Sequence, residues 1–392
     1  MELLYKNKKH IADINKKIFQ YKAKFNAIDN PNLFINEDNF IAMCALLNKF
    51  ENKIDLIYID PPFNTGNDFK FGENRISTIS FSNSDLSAYS DNMPFDEYLE
   101  FLRERLILIH KLLSPNGTLY FHIDLKVGHY VKILLDEIFG INNFINDITR
   151  VKSNPKNFNR KAFGNQKDLI LIYAKNKGQN IFNDITTIFS DDELNKKFPK
   201  IDEFGRRYTT VPCHAPGETK NGNTNKEWNG IKPPAGRHWR CSVEELEYLN
   251  KNGLIEWSKN NIPRIKKYAD EHNGKKIQDI WLDYKDPQYP QYPTQKNYNM
   301  LEMIVKQSSN ENSIIMDCFC GSGNFLLAGV KNNRKIIGID KSQTAINIAC
   351  KNLKDVVNFK ILYLNNMDTQ LNQIDFPYLH QHKKVLNSLF DI

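Results

Sequence analysis

The chain has 392 residues, 41% of them hydrophobic, and a formal net charge of +7. That apolar content excludes wholesale disorder, and the length suits a large catalytic core carrying a second module. A basic balance is compatible with a polyanionic partner but does not by itself identify one. The opening MELLYKNKKHIADINKK is charged and lacks the apolar stretch of a secretory leader. No run approaches the ~18 apolar residues that span a bilayer. Six cysteines in a chain this long do not make a disulfide framework. The expected setting is therefore the reducing cytoplasm, away from membranes.

Residues 1–30 read as a charged helix or extended arm. A short strand is expected at 33–36, then a helix at 39–50 with Phe40, Met43, Leu46, Leu47 and Phe50 on one face. The run IDLIYID (54–60) is continuously apolar and ends in an acid, as a buried parallel strand does. Residues 64–94 are polar and weakly periodic, which predicts a long loop. An amphipathic helix follows at 95–113. Ser114–Gly117 is read as its stop, with a strand at 118–124, a helix at 127–139 and strands at 144–151 and 168–174. Composition then shifts. Residues 176–290 hold all four tryptophans, with many basic residues and poor periodicity, and predict a separate module. From 297 the strand–helix alternation resumes, with strands at 313–317, 335–340 and 359–364 between helices at 297–308, 324–332 and 342–353. The pattern predicts an α/β fold whose single sheet is assembled from both sides of the insert.

Two segments carry chemistry. In IIMDCFCGSGNF (314–325) an acid ends a buried strand and a Gly-Ser-Gly turn leads into a helix. Glycines there let the backbone approach a ligand closely. The third glycine of the dinucleotide fingerprint is missing, since Phe325 and Leu326 follow. Asp317, directly before the turn, suits a ligand with a positive amino group, which favours S-adenosylmethionine over a pyrophosphate. Asp340, at the end of the next strand, can accept hydrogen bonds from both hydroxyls of a ribose. In YIDPPFNTG (58–66), Asp60 stands at a strand end and is followed by two prolines that stiffen the loop and leave only acceptors. A carboxylate beside a rigid carbonyl can hold both protons of an aromatic amino group and direct its lone pair at a methyl donor. Phe63 offers a face on which an extruded base can stack.

On these residues the chain resembles the β group of amino-methylating DNA methyltransferases of bacterial restriction–modification systems. LIYIDPPFNTG is similar to type III modification subunits and to related type II enzymes. The resemblance covers roughly 33–175 and 285–355, with the catalytic motif ahead of the cofactor motif and a target-recognition domain between them. It implies a Rossmann-like sheet with helices on both faces. The implied domains are an N-terminal arm (1–30), a catalytic half (31–175), a target-recognition insert (176–290) and a cofactor-binding half (291–392).

By the same resemblance Asp60, Pro61, Pro62 and Phe63 form the catalytic loop, with the Pro61 carbonyl sharing the amino group. Asp317, Phe319, Gly321, Gly323 and Asp340 hold S-adenosylmethionine. They are joined by Asp38 in a GDN-like turn and by Thr294, Gln295 and Lys296 in a TQKP-like motif. Glu37, Phe63 and Asn297 replace the commoner glycine, tyrosine and proline. Aspartate at 60 favours N6 of adenine over cytosine in this family. Duplex DNA is the implied substrate, a homodimer the implied assembly, and a restriction endonuclease subunit the candidate partner. The length, short for a type III modification subunit, favours a stand-alone type II enzyme.

In the insert, Arg237, Trp239, Arg240, Arg264, Lys266 and Lys267, with Trp228 and Trp257, are candidates to read DNA by phosphate contact, base-edge bonding and stacking. Cys213-His214 and His238-x-x-Cys241 could supply four zinc ligands, but without a CxxC pair no metal is assigned. Three other readings remain open at this level. One is an N4-cytosine or RNA amino methyltransferase, another a catalytically silent DNA-specificity subunit, and the last a nicotinamide-dependent oxidoreductase.

Overall fold

The computed structural model describes residues 2–25, 28, 31–62, 93–155, 161–219, 222–288 and 295–364, and the backbone of the strands 68–71, 86–90 and 372–376. The chain divides into two compact units, one of residues 1–184 with 278–392 and one of residues 185–277. The boundaries read from composition, 176 and 290, therefore enclose flanks that belong to the larger unit. Asn183 shows why, since its side-chain amide donates to the backbone of Lys306 and Ser309. Within residues 1–30 the expected helix forms over Ile11–Lys22. Helix α1 (Ile11–Lys22) buries Ile14 and Ile18 in the larger unit's core.

The larger unit is built on β1 (Leu33–Asn36), β2 (Ile54–Ile59), β3 (Leu113–Ile123), β4 (Phe144–Val151), β5 (Lys167–Ala174), β6 (Ile280–Trp281), β7 (Ile314–Asp317), β8 (Lys335–Asp340), β9 (Phe359–Tyr363) and β10 (Asn372–Phe376). They form one sheet in the order β6-β4-β5-β3-β2-β7-β8-β1-β9-β10. The run β3-β2-β7-β8-β1-β9 is parallel throughout. The near-continuous apolar sequences of β2, β7 and β8 reflect burial on both faces. On one face Ile57, Ile59, Met316, Ile337 and Ile339 join a core with α1, α2 (Asn39–Phe50), α3 (Phe95–Leu112) and α4 (Leu125–Phe139). The other face packs on α5 (Tyr298–Ser308), α6 (Asn324–Lys331) and α7 (Gln343–Leu353). There Tyr58 stacks on Phe325, and Tyr120 hydrogen-bonds Ser308 at 2.8 Å.

Two local expectations are corrected. The helix before Ser114–Gly117 does stop, at Leu112, but the segment is strand and not a turn: β3 starts at Leu113 instead of 118 and runs through it, with a register irregularity opposite Ile54 and Leu56. Residues 64–94 are not all loop, since Asp68–Phe71 and Leu86–Ser90 pair as an antiparallel hairpin. Strands this short give too little alternation to be recognised in sequence.

The smaller unit has a four-stranded antiparallel sheet of Ile255–Trp257, Pro263–Tyr268, Arg207–Pro212 and Lys200–Ile201. Its core gathers Cys213, Trp228, Trp239, Leu246, Ile255 and Ile265, with Trp257 packed against them. Among the described residues no helix is long and apolar enough to cross a membrane.

Candidate active site

The sheet's register collects the acids singled out above. Leu56 and Ile57 of β2 face Ile315 and Met316 of β7, so Asp60 and Asp317 leave neighbouring strand ends. Asp317 pairs with Gly338 on β8, two residues before Asp340, and Asp340 pairs with Asn36 on β1, two residues before Asp38. Parallel strands thus deliver Asp38, Asp60, Asp317 and Asp340 to their carboxyl ends, where open α/β sheets bind ligands. All four line one cavity of about 460 Å³, together with Tyr58, Pro62, Phe101, Gln295, Lys296, Phe319, Gly321 and Ser342. The two motifs singled out in the sequence, from opposite sides of the insert, therefore meet.

Each carboxylate has its own surroundings. Oδ1 of Asp317 accepts the Phe319 N–H at 2.9 Å. Burial, reinforced by the charges of Asp60 and Asp340, pushes its carboxyl well above the usual range despite that hydrogen bond. Asp340 accepts the Gly321 N–H at 2.9 Å on one oxygen and the Ser342 N–H at 2.8 Å on the other. Burial raises this group too, against the pull of those amides. Each Asp340 oxygen keeps a further lone pair for a ligand hydroxyl. The turn between these acids is tight. Gly323 caps α6 at φ 75°, and a Cβ there would lie 2.9 Å from Cβ of Ala349.

Asp38 is turned toward the protein. It caps α2 through the Phe40 N–H at 2.9 Å, and both its oxygens lie 3.1 Å from Nη2 of Arg105. Nε of Arg105 also donates to Asn39, whose amide donates to the Cys318 carbonyl at 2.9 Å. Arg105 on α3 thereby ties the turn after β1 to the turn after β7. It carries no motif signal, and nothing in the sequence marked it.

Asp60 sits between a cation and a buried polar chain. Its Oδ2 is 2.6 Å from Nζ of Lys296, while Oδ1 is buried and receives no hydrogen bond from the described residues. Burial works to lower the Lys296 ammonium, but the carboxylates of Asp60, Asp286 and Asp168 outweigh it and raise the group overall. Nδ1 of His122 stands 4.0 Å from Oδ1, beyond hydrogen-bond reach. Burial lowers the His122 ring and keeps it neutral. Its Nε2 meets Oδ2 of Asp168 at 3.2 Å, and its Nδ1 meets the Tyr58 hydroxyl at 2.8 Å. Asp168, also bonded to Lys152 at 2.7 Å, is held below the usual carboxylate range although burial opposes this. An ionised Asp168 can only accept, so the ring proton sits on Nε2 and Nδ1 accepts from Tyr58. His122 therefore has no proton to offer Oδ1.

The proline loop is anchored from α3. The Tyr98 hydroxyl donates to the Pro62 carbonyl at 2.5 Å, so that acceptor is in use. Tyr98, His122 and Asp168 were read only as parts of a helix and strands. Their functional positions follow from packing partners far away in sequence. Phe63 and Thr294 lie outside the described residues. Gln295 and Lys296 line the cavity, and Asn297 replaces the commoner proline as the cap of α5, accepting the Met300 N–H at 3.1 Å.

In the smaller unit the tryptophans expected to stack on bases are corrected. Trp239 is 1% exposed and Trp228 3%. Their rings pack edge to face, and the Trp239 indole N–H donates to the Lys226 carbonyl. Large apolar rings in a small unit are more stabilising as its core than as exposed platforms. Nε of Arg264 donates to the Thr210 hydroxyl at 2.8 Å and Nη2 to its carbonyl at 2.7 Å. Nε of Arg240 donates to the Pro212 carbonyl at 2.9 Å, and Nη1 of Arg237 to Nδ1 of His214 at 3.2 Å. Lys266 lies over the Tyr208 ring, and Lys267 is exposed. Among the described residues no cluster of three or more His, Cys, Asp or Glu is arranged to hold a metal.

The comparisons with known proteins agree with this geometry. Residues 54–351 match the N6/N4 family described as DNA methylase. The chain is 38% identical over 363 residues to the type II methyltransferase M.EcaI of Enterobacter cloacae, covering 90% of this chain and 77% of that protein. It is 24% identical to the type II methyltransferase M.KpnI of Klebsiella pneumoniae, with 87% and 88% covered. With the StyLTI Mod subunit of a type III restriction-modification enzyme from Salmonella typhimurium, identity is 25% and coverage 75% and 49%, so the chain spans about half of that relative. The family match runs from β2 into α7 and includes Asp60, Asp317 and Asp340, the acids that the parallel strands bring to one cavity. The chain belongs to the N6/N4 DNA methylase family and is a DNA methyltransferase of the restriction–modification kind.

Proposed function

We propose that the enzyme methylates the N6 amino group of an adenine swung out of duplex DNA, with Asp60 and the Pro61 carbonyl holding that amino group. The observation that carries this reading is the buried Oδ1 of Asp60 at the cavity wall, an acceptor to which none of the described residues donates. A buried carboxylate oxygen left unsatisfied costs free energy that a ligand N–H recovers. The Pro62 carbonyl, engaged by Tyr98, stiffens the loop, and the Pro61 carbonyl is the second acceptor.

S-Adenosylmethionine, the methyl donor of this family, supplies an electrophilic methyl group on a sulfonium. The lining residues fit such a ligand. Asp317 offers a buried carboxylate to a cationic amino group, Asp340 offers lone pairs to ribose hydroxyls, and the Phe319–Gly323 turn leaves room for close approach. The adenine nitrogen forms the new N–C bond with its own lone pair, and the C–S bonding pair stays on sulfur. Asp60 then accepts the proton released by the methylated nitrogen and passes it to solvent. No covalent enzyme intermediate is needed, and Cys318 and Cys320 are unsuited to be nucleophiles because burial pushes both thiols well up. The smaller unit is the target reader, with Arg237, Arg240, Lys266 and Lys267 supplying contacts to DNA.

The choice of adenine rests on aspartate, rather than serine, at position 60 and on the resemblance. Transfer of labelled methyl groups to unmethylated duplex DNA, followed by nucleoside analysis, tests it. N6-methyladenine from the wild type and none from Asp60→Ala is the expected result. N4-methylcytosine would replace adenine by cytosine as the base, and unimpaired turnover by Asp60→Ala would overturn the mechanism.

A further inference from the structure

We propose that Lys296 is a positioning residue for the transfer step, fixing one oxygen of Asp60 so that the other is dedicated to the substrate's amino group. The proposal rests on the reading of Asp60 given above. The motif containing Lys296 is implied by resemblance to serve the cofactor, yet its ammonium is 2.6 Å from Oδ2 of Asp60. Lys296 is 9% exposed and its backbone is held in place, because the next residue, Asn297, caps α5 and donates to the Lys285 carbonyl. The ion pair therefore joins a fixed residue on the α5 side to the loop after β2.

A carboxylate that must accept an amino proton at one oxygen needs two things, a defined rotation and a negative charge. An unanchored carboxylate turns about its Cβ–Cγ bond and spreads its lone pairs. The Lys296 bond defines the rotation and aims Oδ1 at its buried position. The positive charge favours the ionised form of its partner. The groups facing Asp60 divide by sign. Lys296 bonds Oδ2, and neutral His122 stands opposite Oδ1 with its Nδ1 engaged by Tyr58. Asp317 on β7, with Asp168 and Asp286 near Lys296, adds negative charge around the pair, which the lysine offsets.

The test compares the wild type with Lys296→Met, Lys296→Gln and Lys296→Arg in full-length protein, using S-adenosylmethionine binding as the check of a folded site. In the charge-free variants kcat should fall ~10–100-fold while the Kd for S-adenosylmethionine changes less than about threefold. Lys296→Arg should restore most of kcat. The outcome that overturns the proposal is weaker S-adenosylmethionine binding with kcat at saturation unchanged, which would make Lys296 a cofactor ligand. An arginine variant no better than methionine would overturn it as well, because charge would then not be the cause. If the methionine variant fails to fold, the glutamine and arginine pair decides in the same way. Failure of the underlying reading shows separately, as methyl transfer by Asp60→Ala.

Discussion

Both carboxylate oxygens of Asp38 lie 3.1 Å from Nη2 of Arg105, a side chain 66 residues away from the neighbouring Asn39 that it also bonds. Arg105 is 6% exposed and stacks on the Phe101 ring 3.6 Å below its guanidinium. Burial lowers this guanidinium from its usual value, with Asp38 and Glu104 opposing the shift. The pair therefore braces the cavity wall. Arg105→Leu leaves Asp38 without its cation. It should destabilise the larger unit by roughly 2–3 kcal/mol, less than a fully buried pair because Asp38 keeps partial access to water. Chemical denaturation measures this, and an unchanged midpoint would contradict it.

Asp340 and Asp60 should separate binding from transfer. Asp340→Ala removes the acceptor proposed for two ribose hydroxyls, at ~1.5–3 kcal/mol per charged hydrogen bond, which corresponds to weakening of S-adenosylmethionine binding by about tenfold or more. Asp60→Ala should bind the donor within a few-fold of wild type and transfer no methyl. Titration calorimetry on both variants checks the division, and equal donor affinities would remove Asp340 from its role.

Donor binding should weaken as pH falls. Burial raises the Asp317 carboxyl above the ordinary ~3.9, so its neutral fraction grows as pH drops through the raised value. In the ligand-free protein this neutral form favours folding at acid pH, and the contribution is lost as pH rises through the folded-state value. A cationic amino group needs the ionised form, so binding is strongest on the alkaline side and releases no benefit on the acid side. Asp317→Asn should bind weakly at every pH with a flattened profile. Kd measured across the acidic to mildly alkaline range decides, and a wild-type profile in the variant would be inconsistent with this role.

Gly323→Ala should damage the cofactor turn through geometry alone. The residue has φ 75°, where alanine costs about 1 kcal/mol, and its Cβ would meet Cβ of Ala349 at 2.9 Å. A loss of roughly 1–3 kcal/mol in stability is expected, together with weaker donor binding. Thermal melts with and without S-adenosylmethionine would show both, and a variant melting like wild type would refute the steric account.

The smaller unit offers a contrast between core and surface. Trp239→Ala should cost ~3–5 kcal/mol in that unit, as removal of a buried ring does. Lys267→Ala should leave stability within about 0.5 kcal/mol. If the unit reads DNA, this lysine's loss should reduce the slope of log affinity against log salt by about one. Filter binding across salt concentrations provides the check, and an unaltered slope would place Lys267 away from phosphate.

The local sequence determined a good deal. Strand and helix periods in β2, α3, β7 and β8 are strong because these elements bury one face or both, and burial enforces apolar spacing. Asp60, Asp317, Asp340 and the Gly321–Gly323 turn were legible for a related reason, since stiff prolines, a strand-end acid and positive-φ glycines are local demands of the backbone. Only the tertiary structure decided which side chains serve these motifs. Arg105 reaches Asp38, Tyr98 reaches Pro62, His122 stands between Tyr58 and Asp168, and Lys296 reaches Asp60. Each pairing depends on register and helix docking across tens to hundreds of residues, and no periodicity encodes it. The same reason explains Trp239. Its composition and basic neighbours resemble a nucleic-acid platform, but whether an aromatic ring is core or surface depends on which residues close over it, and Trp228 and Leu246 do so here.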